Sequence, residues 1–252
     1  DAFPKTATIK KRIGGRVVTI TGIAKGAGMI RPDMATMLAF FMTDANIGKA
    51  ALGRALKSAV DLSFNSIAVD NDTSTNDTAL IFANALSGGA AIKSGTPAFK
   101  SFTSALTEIA TKLAHMIVRD GEGATKFIEL NIKGAKTEVD AKRAAVAIAE
   151  SMLVKTGFFG ADPNWGRIYA VLGRAGVAVD PDKVDITFNG VKVARGGVDT
   201  GREKEAARVL RKKDIKVIVD LKLGKGARTF WTTDLSFDYV RLNSSYRSSG
   251  TT

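Results

Sequence analysis

The sequence predicts a mixed fold, α/β or α+β, in which helices pack in layers on sheet. Three observations predict it. Runs of β-branched and apolar residues alternate with stretches of helical spacing along the whole chain. Apolar residues make up 45% of the 252 positions, enough for one large domain or two small ones with a real core. There is no internal repeat and no long low-complexity linker, and only the Ser/Gly/Thr-rich tail from Ser244 reads as loose.

Taken in order, Val17 to Ile23 is β-branched and reads as a buried strand. A Gly-rich loop follows, Lys25-Gly26-Ala27-Gly28, and Thr36 to Met42 is apolar enough for a central strand. Ala50 to Leu62 has helical spacing. Pro97 opens a long helix, because Phe99, Phe102, Leu106, Ile109, Leu113 and Ile117 recur at steps of three and four. Phe127 to Ile132 reads as a strand, and Thr137 to Ala149 as a helix with an Ala-rich face. Val184 to Phe188 and Val191 to Val193 flank Asn189-Gly190, the strongest short hairpin signal. Gly201 to Leu210 reads as a helix, then Ile215 to Leu221 and Phe237 to Leu242 as strands.

Composition narrows the chemistry. The chain has no Cys, so disulfides, thiol catalysis and thiolate metal sites are excluded, which is compatible with a reducing compartment; a cytoplasmic location is expected. No apolar run approaches the ~18 residues of a membrane helix, and Asp1-Ala2-Phe3-Pro4-Lys5 is no signal peptide. The chain opens without Met, which suggests a fragment or a processed product. The formal charge of +12 invites an anionic partner, but Lys10-Lys11-Arg12 and Arg211-Lys212-Lys213 carry no interleaved aromatics. A solvated basic surface fits better than a nucleic-acid interface, and no membrane partner is expected.

Weak motifs fall away. Gly26-Ala27-Gly28 lacks the third glycine of a dinucleotide fingerprint, and no Walker A pattern is present. Asp70 to Asn76 looks like a calcium loop, but Thr75 stands where that loop needs Gly and Ile81 where it needs Glu, so no metal is expected there. His115 is the single histidine and reads as a core or boundary residue. Trp165 and Trp231 read as packing residues.

The chemically suggestive stretch runs from Lys25 to Leu38. A basic, Gly-rich loop enters a turn at Pro32, and the small residue Ala35 precedes Thr36 at the head of an apolar strand. A threonine hydroxyl is a poor nucleophile without a base beside it. The α-amine of the same residue is such a base, with a pKa of roughly 7.7–8.0 in model peptides. Making that amine requires cutting the Ala35–Thr36 bond, which the hydroxyl can do itself by attacking the Ala35 carbonyl. A buried strand threonine with no chemistry satisfies the same residues equally well.

The stretch resembles the self-cleavage signature of the ornithine acetyltransferase family. Four more segments agree in the same order: Asp70 to Asp77, Asp120 to Lys126, Asp162 to Arg167 and Asp238 to Arg247. The resemblance implies a helix-sheet-sheet-helix sandwich of the N-terminal-nucleophile type. It implies an acetyltransferase of arginine biosynthesis that moves acetyl from N2-acetylornithine to glutamate through an acetyl-threonine intermediate. Some members also accept acetyl-CoA, and no cofactor is implied. Thr36 matches the nucleophile, with cleavage between Ala35 and Thr36. Lys25, Thr36, Glu122, Asn243 and Ser248 match the substrate contacts, Ser248 standing where the family carries Ser or Thr. The Asp70–Asp77 cluster and the Asn164-Trp165-Gly166 turn are expected to fix loops through side-chain-to-backbone hydrogen bonds.

By the same resemblance, residues 1–35 correspond to the tail of an α segment and residues 36–252 to a β segment, joining as a heterotetramer of two α and two β chains. The oxyanion donors are expected upstream of residue 1, and without that segment a sheet face should expose apolar surface. The competing function is an aminopeptidase or amidohydrolase of the same fold, with water as acceptor.

Overall fold

The computed structural model describes residues 1–31 and 37–245, in two compact units, Asp1–Asp120 and Gly121–Thr252. Ala35, Thr36 and Ser248 lie outside the described residues. The folding boundary at Asp120/Gly121 is a different division from the processing boundary expected at Ala35–Thr36.

The first unit is built on a four-stranded sheet. Strands β1 (Lys5–Ile13) and β2 (Arg16–Lys25) form an antiparallel hairpin, closed by Gly14 and Gly15 at φ 58° and 81°. Positive φ at both turn positions matches the right-handed twist of the strands, and glycine adopts it without a Cβ penalty. β2 pairs antiparallel with β3 (Leu38–Thr43), and β3 pairs parallel with β5 (Thr78–Ala83). Helix α1 (Lys49–Asp61) and the two-residue strand β4 (Ile67–Ala68) lie between β3 and β5 in the chain.

Helix α2 (Pro97–Arg119) covers one face of this sheet. Thr96 caps it by accepting the Phe99 N–H, and Pro97 supplies a first turn that needs no donor. Phe102, Leu106, Ile109, Leu113 and Ile117 are fully buried, each contributing roughly 1.5–3 kcal/mol of transfer free energy. Gly22 lets the helix approach, since a Cβ there would sit 2.8 Å from both Leu113 and the Phe41 ring.

β2 is therefore buried on one face, not two. Val18 and Ile20 point inward, while Val17 and Ile23 alternate outward as the pleat requires. With Met42, Leu80 and Phe82 they form an apolar outer face on which each side chain is 41–58% exposed.

The second unit carries strands in the order β11-β6-β10-β7-β8-β9. They are β6 (Phe127–Ala135), β7 (Asp185–Phe188), β8 (Val191–Arg195), β9 (Val198–Asp199), β10 (Asp214–Asp220) and β11 (Gly226–Thr233). Only β6 and β10 pair in parallel among these neighbours. Helix α3 (Glu138–Ala149), capped by Thr137, lays its Ala face on β6 and β11. The Asn189-Gly190 hairpin forms as expected, with φ 43° and 86°. Helices α4 (Met152–Phe159), α5 (Trp165–Arg174) and α6 (Glu203–Leu210) complete the layer architecture, α6 starting two residues later than its pattern suggested.

One expected strand is a helix. Phe237 to Leu242 lies in α7 (Phe237–Ser244). Ser236 accepts the Asp238 N–H, Asp238 sits in the first turn and Arg241 in the last, so capping and the helix dipole both favour this state. None of its residues is buried, so no pleat imposes a period of two.

Both basic clusters are exposed, Lys10-Lys11-Arg12 on the edge strand β1 and Arg211-Lys212-Lys213 after α6. His115 is half-buried on α2. Trp231 is buried on β11, whereas Trp165 stands edge-on to Tyr169 at the start of α5. Among the described residues, no helix is long and apolar enough to cross a membrane, and no group of His, Asp and Glu could hold a metal ion.

Candidate active site

In the first unit the site is framed by the connection from β2 to β3. Lys25 is the last residue of β2, exposed and in register with Leu38, two residues beyond Thr36. It belongs to the strand end, not to the loop that follows. That loop turns at Gly26, φ 149°, whose N–H donates to Asp1 Oδ1 at 2.9 Å. It then buries Ile30 completely.

The segment from Val69 to Thr78 holds both ends of the stretch that contains the Ala35–Thr36 bond. On the upstream side, Asp70 accepts the N–H groups of Met29 at 2.6 Å and Ile30 at 2.9 Å. The Val69 N–H donates to the Ile30 carbonyl at 2.7 Å, and the Thr73 hydroxyl donates to the Arg31 carbonyl at 3.2 Å. On the downstream side, the Met37 N–H donates to Asp77 Oδ1, and the Thr78 N–H donates to the Met37 carbonyl at 2.9 Å. The loop-fixing role expected of this Asp-rich cluster is thus played by Asp70, Thr73 and Asp77.

Asp77 is 9% exposed. Burial pushes its carboxyl up to about 6, against the pull of the Met37 N–H toward the charged form. Its second oxygen, Oδ2, is buried and has no hydrogen-bond partner among the described residues.

The second unit brings two predicted site residues together. Glu122 sits in the turn before β6, and Asn243 in the last turn of α7. The Asn243 amide donates to Glu122 Oε2 at 3.1 Å and to its own helix at Tyr239 O, 3.0 Å. The turn is held by residues that sequence reasoning missed. Asp234 accepts the N–H groups of Thr125 and Lys126 at 2.9 and 3.0 Å and also the Thr125 hydroxyl. The Ser236 hydroxyl donates to Gly123 O at 2.5 Å while it caps α7. Gly123, φ 68°, lets α7 approach, because a Cβ there would lie 2.3 Å from Tyr239 N. Lys126 donates to the carbonyls of Phe158, Phe159 and Leu210, and burial holds its ammonium below the usual lysine range against the opposing charge of Asp234. The available signal was Ser236 followed by Asp238, a helix-start pattern.

The Asp162–Arg167 turn is fixed by a side-chain-to-backbone bond of the kind expected, but it comes from Arg167 and not from Asn164. Asn164 stands at the N-cap of α5 without a side-chain cap bond. Arg167 ties the turn instead, through Asp162 at 2.8 Å and the Leu153 carbonyl at 2.8 Å.

A family model described as the ArgJ family matches residues 1–248. The arginine biosynthesis bifunctional protein ArgJ of Geobacter sulfurreducens is 51% identical over 249 residues, covering 98% of this chain and 63% of that protein. The mitochondrial ArgJ of Schizosaccharomyces pombe is 46% identical over 255 residues, covering 98% of this chain and 57% of that protein. A crystal structure of ArgJ from Bacillus halodurans superposes with a TM-score of 0.78 at 40% identity, covering 81% of this chain and 96% of that one. The chain spans slightly less than two thirds of the length of these curated relatives.

Proposed function

The chain belongs to the ArgJ family, and from that membership we propose that it carries the transfer chemistry of an ornithine acetyltransferase, a glutamate N-acetyltransferase of arginine biosynthesis. The Ala35–Thr36 bond is cut by the Thr36 hydroxyl. The freed α-amine then serves as base while the hydroxyl takes acetyl from N2-acetylornithine and passes it to glutamate. In this reading Lys25 meets a substrate carboxylate, and Glu122, Asn243 and Ser248 contact the amino-acid substrate.

The observation that carries the reading is the Asn243–Glu122 hydrogen bond of 3.1 Å. Two residues far apart in the chain, both matched to substrate contacts, share one exposed polar patch. Its carboxylate suits an ammonium group, and its amide suits a carboxylate.

The partner in this reading is the α segment of the same precursor, supplying the oxyanion donors within a heterotetramer of two α and two β chains in the cytoplasm. The exposed apolar outer face of the four-stranded sheet supports a covering segment, since patches of this kind mark interaction surfaces.

Thr36→Ala in the complete precursor tests the proposal. The expected result is one uncut chain by intact mass, no acetyl adduct and no transfer. The wild type should give parallel double-reciprocal lines and an acetylated Thr36, because one nucleophile serves donor and acceptor in turn. Release of acetate in place of acetylglutamate would assign hydrolysis, and a cut, active Thr36→Ala protein would end the assignment.

A further inference from the structure

We propose that Lys126 is a positioning residue for the amino-acid substrate, setting the spacing of Glu122 and Asn243 by tying the turn that carries Glu122 to the end of α4, against which the head of α7 packs. This role rests on the reading of Glu122 and Asn243 as substrate contacts and goes beyond it by naming the group that holds the two in register.

A lysine ammonium has three donor hydrogens and no acceptor. Lys126 Nζ donates to three carbonyls: Phe158 O, Phe159 O at 3.2 Å and Leu210 O at 2.9 Å. Phe158 and Phe159 are the last two residues of α4, and Leu210 is the last of α6. Carbonyls at helix C-termini lack intrahelical partners, and the helix dipole favours a cation there. The ammonium is thus fully engaged by main-chain oxygens and has no donor left for a ligand. Lys126 is a fastener, unlike Lys25, whose exposed cation is read as a substrate contact.

What it fastens matters for the site. Lys126 closes the turn that Glu122 opens. The buried carboxylate of Asp234 grips the main chain of that turn from the β11 side, at the N–H groups of Thr125 and Lys126. The Lys126 side chain grips it from the α4 side. Helix α4 is itself anchored on β11, because the buried Lys155 ammonium donates to the Thr232 and Thr233 hydroxyls at 3.0 Å and to Thr233 O at 2.7 Å. The end of α4 also presents the Phe159 ring edge-on to Phe237, with centroids 5.5 Å apart and planes at 89°. Phe237 is the first residue of α7, and Asn243 stands in the last turn of the same helix.

These links close a circuit. It runs from Glu122 along the turn to Lys126, across to the end of α4, from Phe159 to Phe237, and along α7 to Asn243. The Asn243 amide returns to Glu122 at 3.1 Å. No residue of α7 is buried, so core packing does not fix its place, and the circuit and the Ser236–Gly123 bond do. Without the Lys126 ammonium, the turn is held from the β11 side alone, while α7 keeps its contact with α4. The Glu122 carboxylate and the Asn243 amide then lose the spacing at which they meet the ammonium and carboxylate of one amino acid.

The test measures KM for glutamate and kcat of acetyl transfer in the complete protein, for Lys126→Met, Lys126→Arg, Glu122→Gln and the double variant Lys126→Met with Glu122→Gln. Methionine keeps the unbranched stem and removes the donors. KM should rise about 10- to 100-fold, as a contact misplaced by ~1 Å can cost, while kcat stays near wild type. Arginine keeps the cation and its donors in a different geometry, so it should recover part of the loss. Because Lys126 acts through Glu122, the double variant should show the KM of Glu122→Gln alone, a non-additivity expected of coupled residues. Wild-type KM in Lys126→Met would overturn the proposal. So would a loss that multiplies in full on top of Glu122→Gln, the mark of a residue that only stabilises the fold. If Lys126→Met does not fold, Lys126→Arg alone and combined with Glu122→Gln decides by the same two comparisons. Wild-type KM in Glu122→Gln would overturn the substrate role beneath the proposal, whereas a raised KM there beside a wild-type KM in Lys126→Met would overturn the positioning role alone.

Discussion

Gly123→Ala should uncouple Glu122 from Asn243 at small cost to the fold. Two penalties act at this position. An alanine held at φ 68° pays roughly 1–2 kcal/mol for the left-handed conformation. Its Cβ would also meet Tyr239 N at 2.3 Å, Tyr239 Cα at 2.7 Å and Asp238 C at 3.0 Å. All three are backbone atoms, so no side chain can swing aside. Ordinary contact begins near 3.4 Å, so α7 must retreat by about 1 Å (3.4 − 2.3). Ser236 Oγ to Gly123 O and Asn243 to Glu122 hold α7 against that movement, each contributing about 0.5–1.5 kcal/mol, together with the Phe237 ring edge-on to Phe159. The helix has no buried residue, so yielding costs less than overpacking a core would. Hence α7 moves and the second unit stays folded. Urea denaturation of the complete protein should show a loss of about 1–3 kcal/mol. Amide exchange should quicken between Tyr239 and Ser244, and KM for the amino-acid substrate should rise with Glu122 itself intact. Wild-type stability together with wild-type KM would refute both the close approach and the role given to this patch.

Two further outcomes follow from the geometry. Lys25→Ala removes an exposed side chain at a strand end, so stability should stay within about 0.5 kcal/mol, whereas loss of a charge-assisted bond to a carboxylate, roughly 1.5–3 kcal/mol, should raise KM about 10- to 100-fold; unchanged kinetics would return Lys25 to a solvated surface role. Asp185 is buried, but Lys192 at 2.6 Å, Lys222 at 2.8 Å and the Gly196 N–H at 2.9 Å outweigh the burial and hold its carboxyl well below the usual range. Its stabilisation is therefore present above an unfolded-state pKa of about 3.9 and lost as pH falls below it, so Asp185→Asn should cost about 2–3 kcal/mol near pH 7, with the gap from wild type closing in acid unfolding curves; a gap independent of pH would show that the charge contributes nothing.

What the sequence disclosed about the fold depended on whether a buried face imposed a period. The α2 stripe repeats over many turns and is fully buried, so its spacing had one reading. The Asn189-Gly190 turn was legible because both residues must take positive φ. β1 went unread because it is an edge strand whose outer half is Lys10-Lys11-Arg12, and edge charges that discourage further pairing also erase the alternation. α7 was misread for the complementary reason. Phe237, Val240 and Leu242 are apolar but 51–80% exposed, so burial selects neither a period of two nor one of 3.6, and the cap at Ser236 decides.

For the proposed site, the sequence named candidate residues but not the bonds that hold them. Lys25, Thr36, Glu122 and Asn243 could be named only through the family resemblance, because a strand threonine or a turn glutamate has no local signature of chemistry. The Asp70–Asp77 cluster was legible as loop-fixing chemistry, since Asp and Thr side chains compete for backbone groups wherever they cluster. Which backbone they would fix lay some forty residues upstream, and no local pattern encodes that distance. Under the proposed self-cleavage, one cluster would serve the chain both before and after the cut. Asp70 holds Met29 and Ile30 and Asp77 holds Met37, described residues on either side of the Ala35–Thr36 bond, so the proposed cut would leave a carboxylate anchor on each side of it. An anchor on one side alone would release the other end at cleavage. Anchors on both sides would keep Met37 in place if its neighbour becomes the N-terminal nucleophile, as proposed.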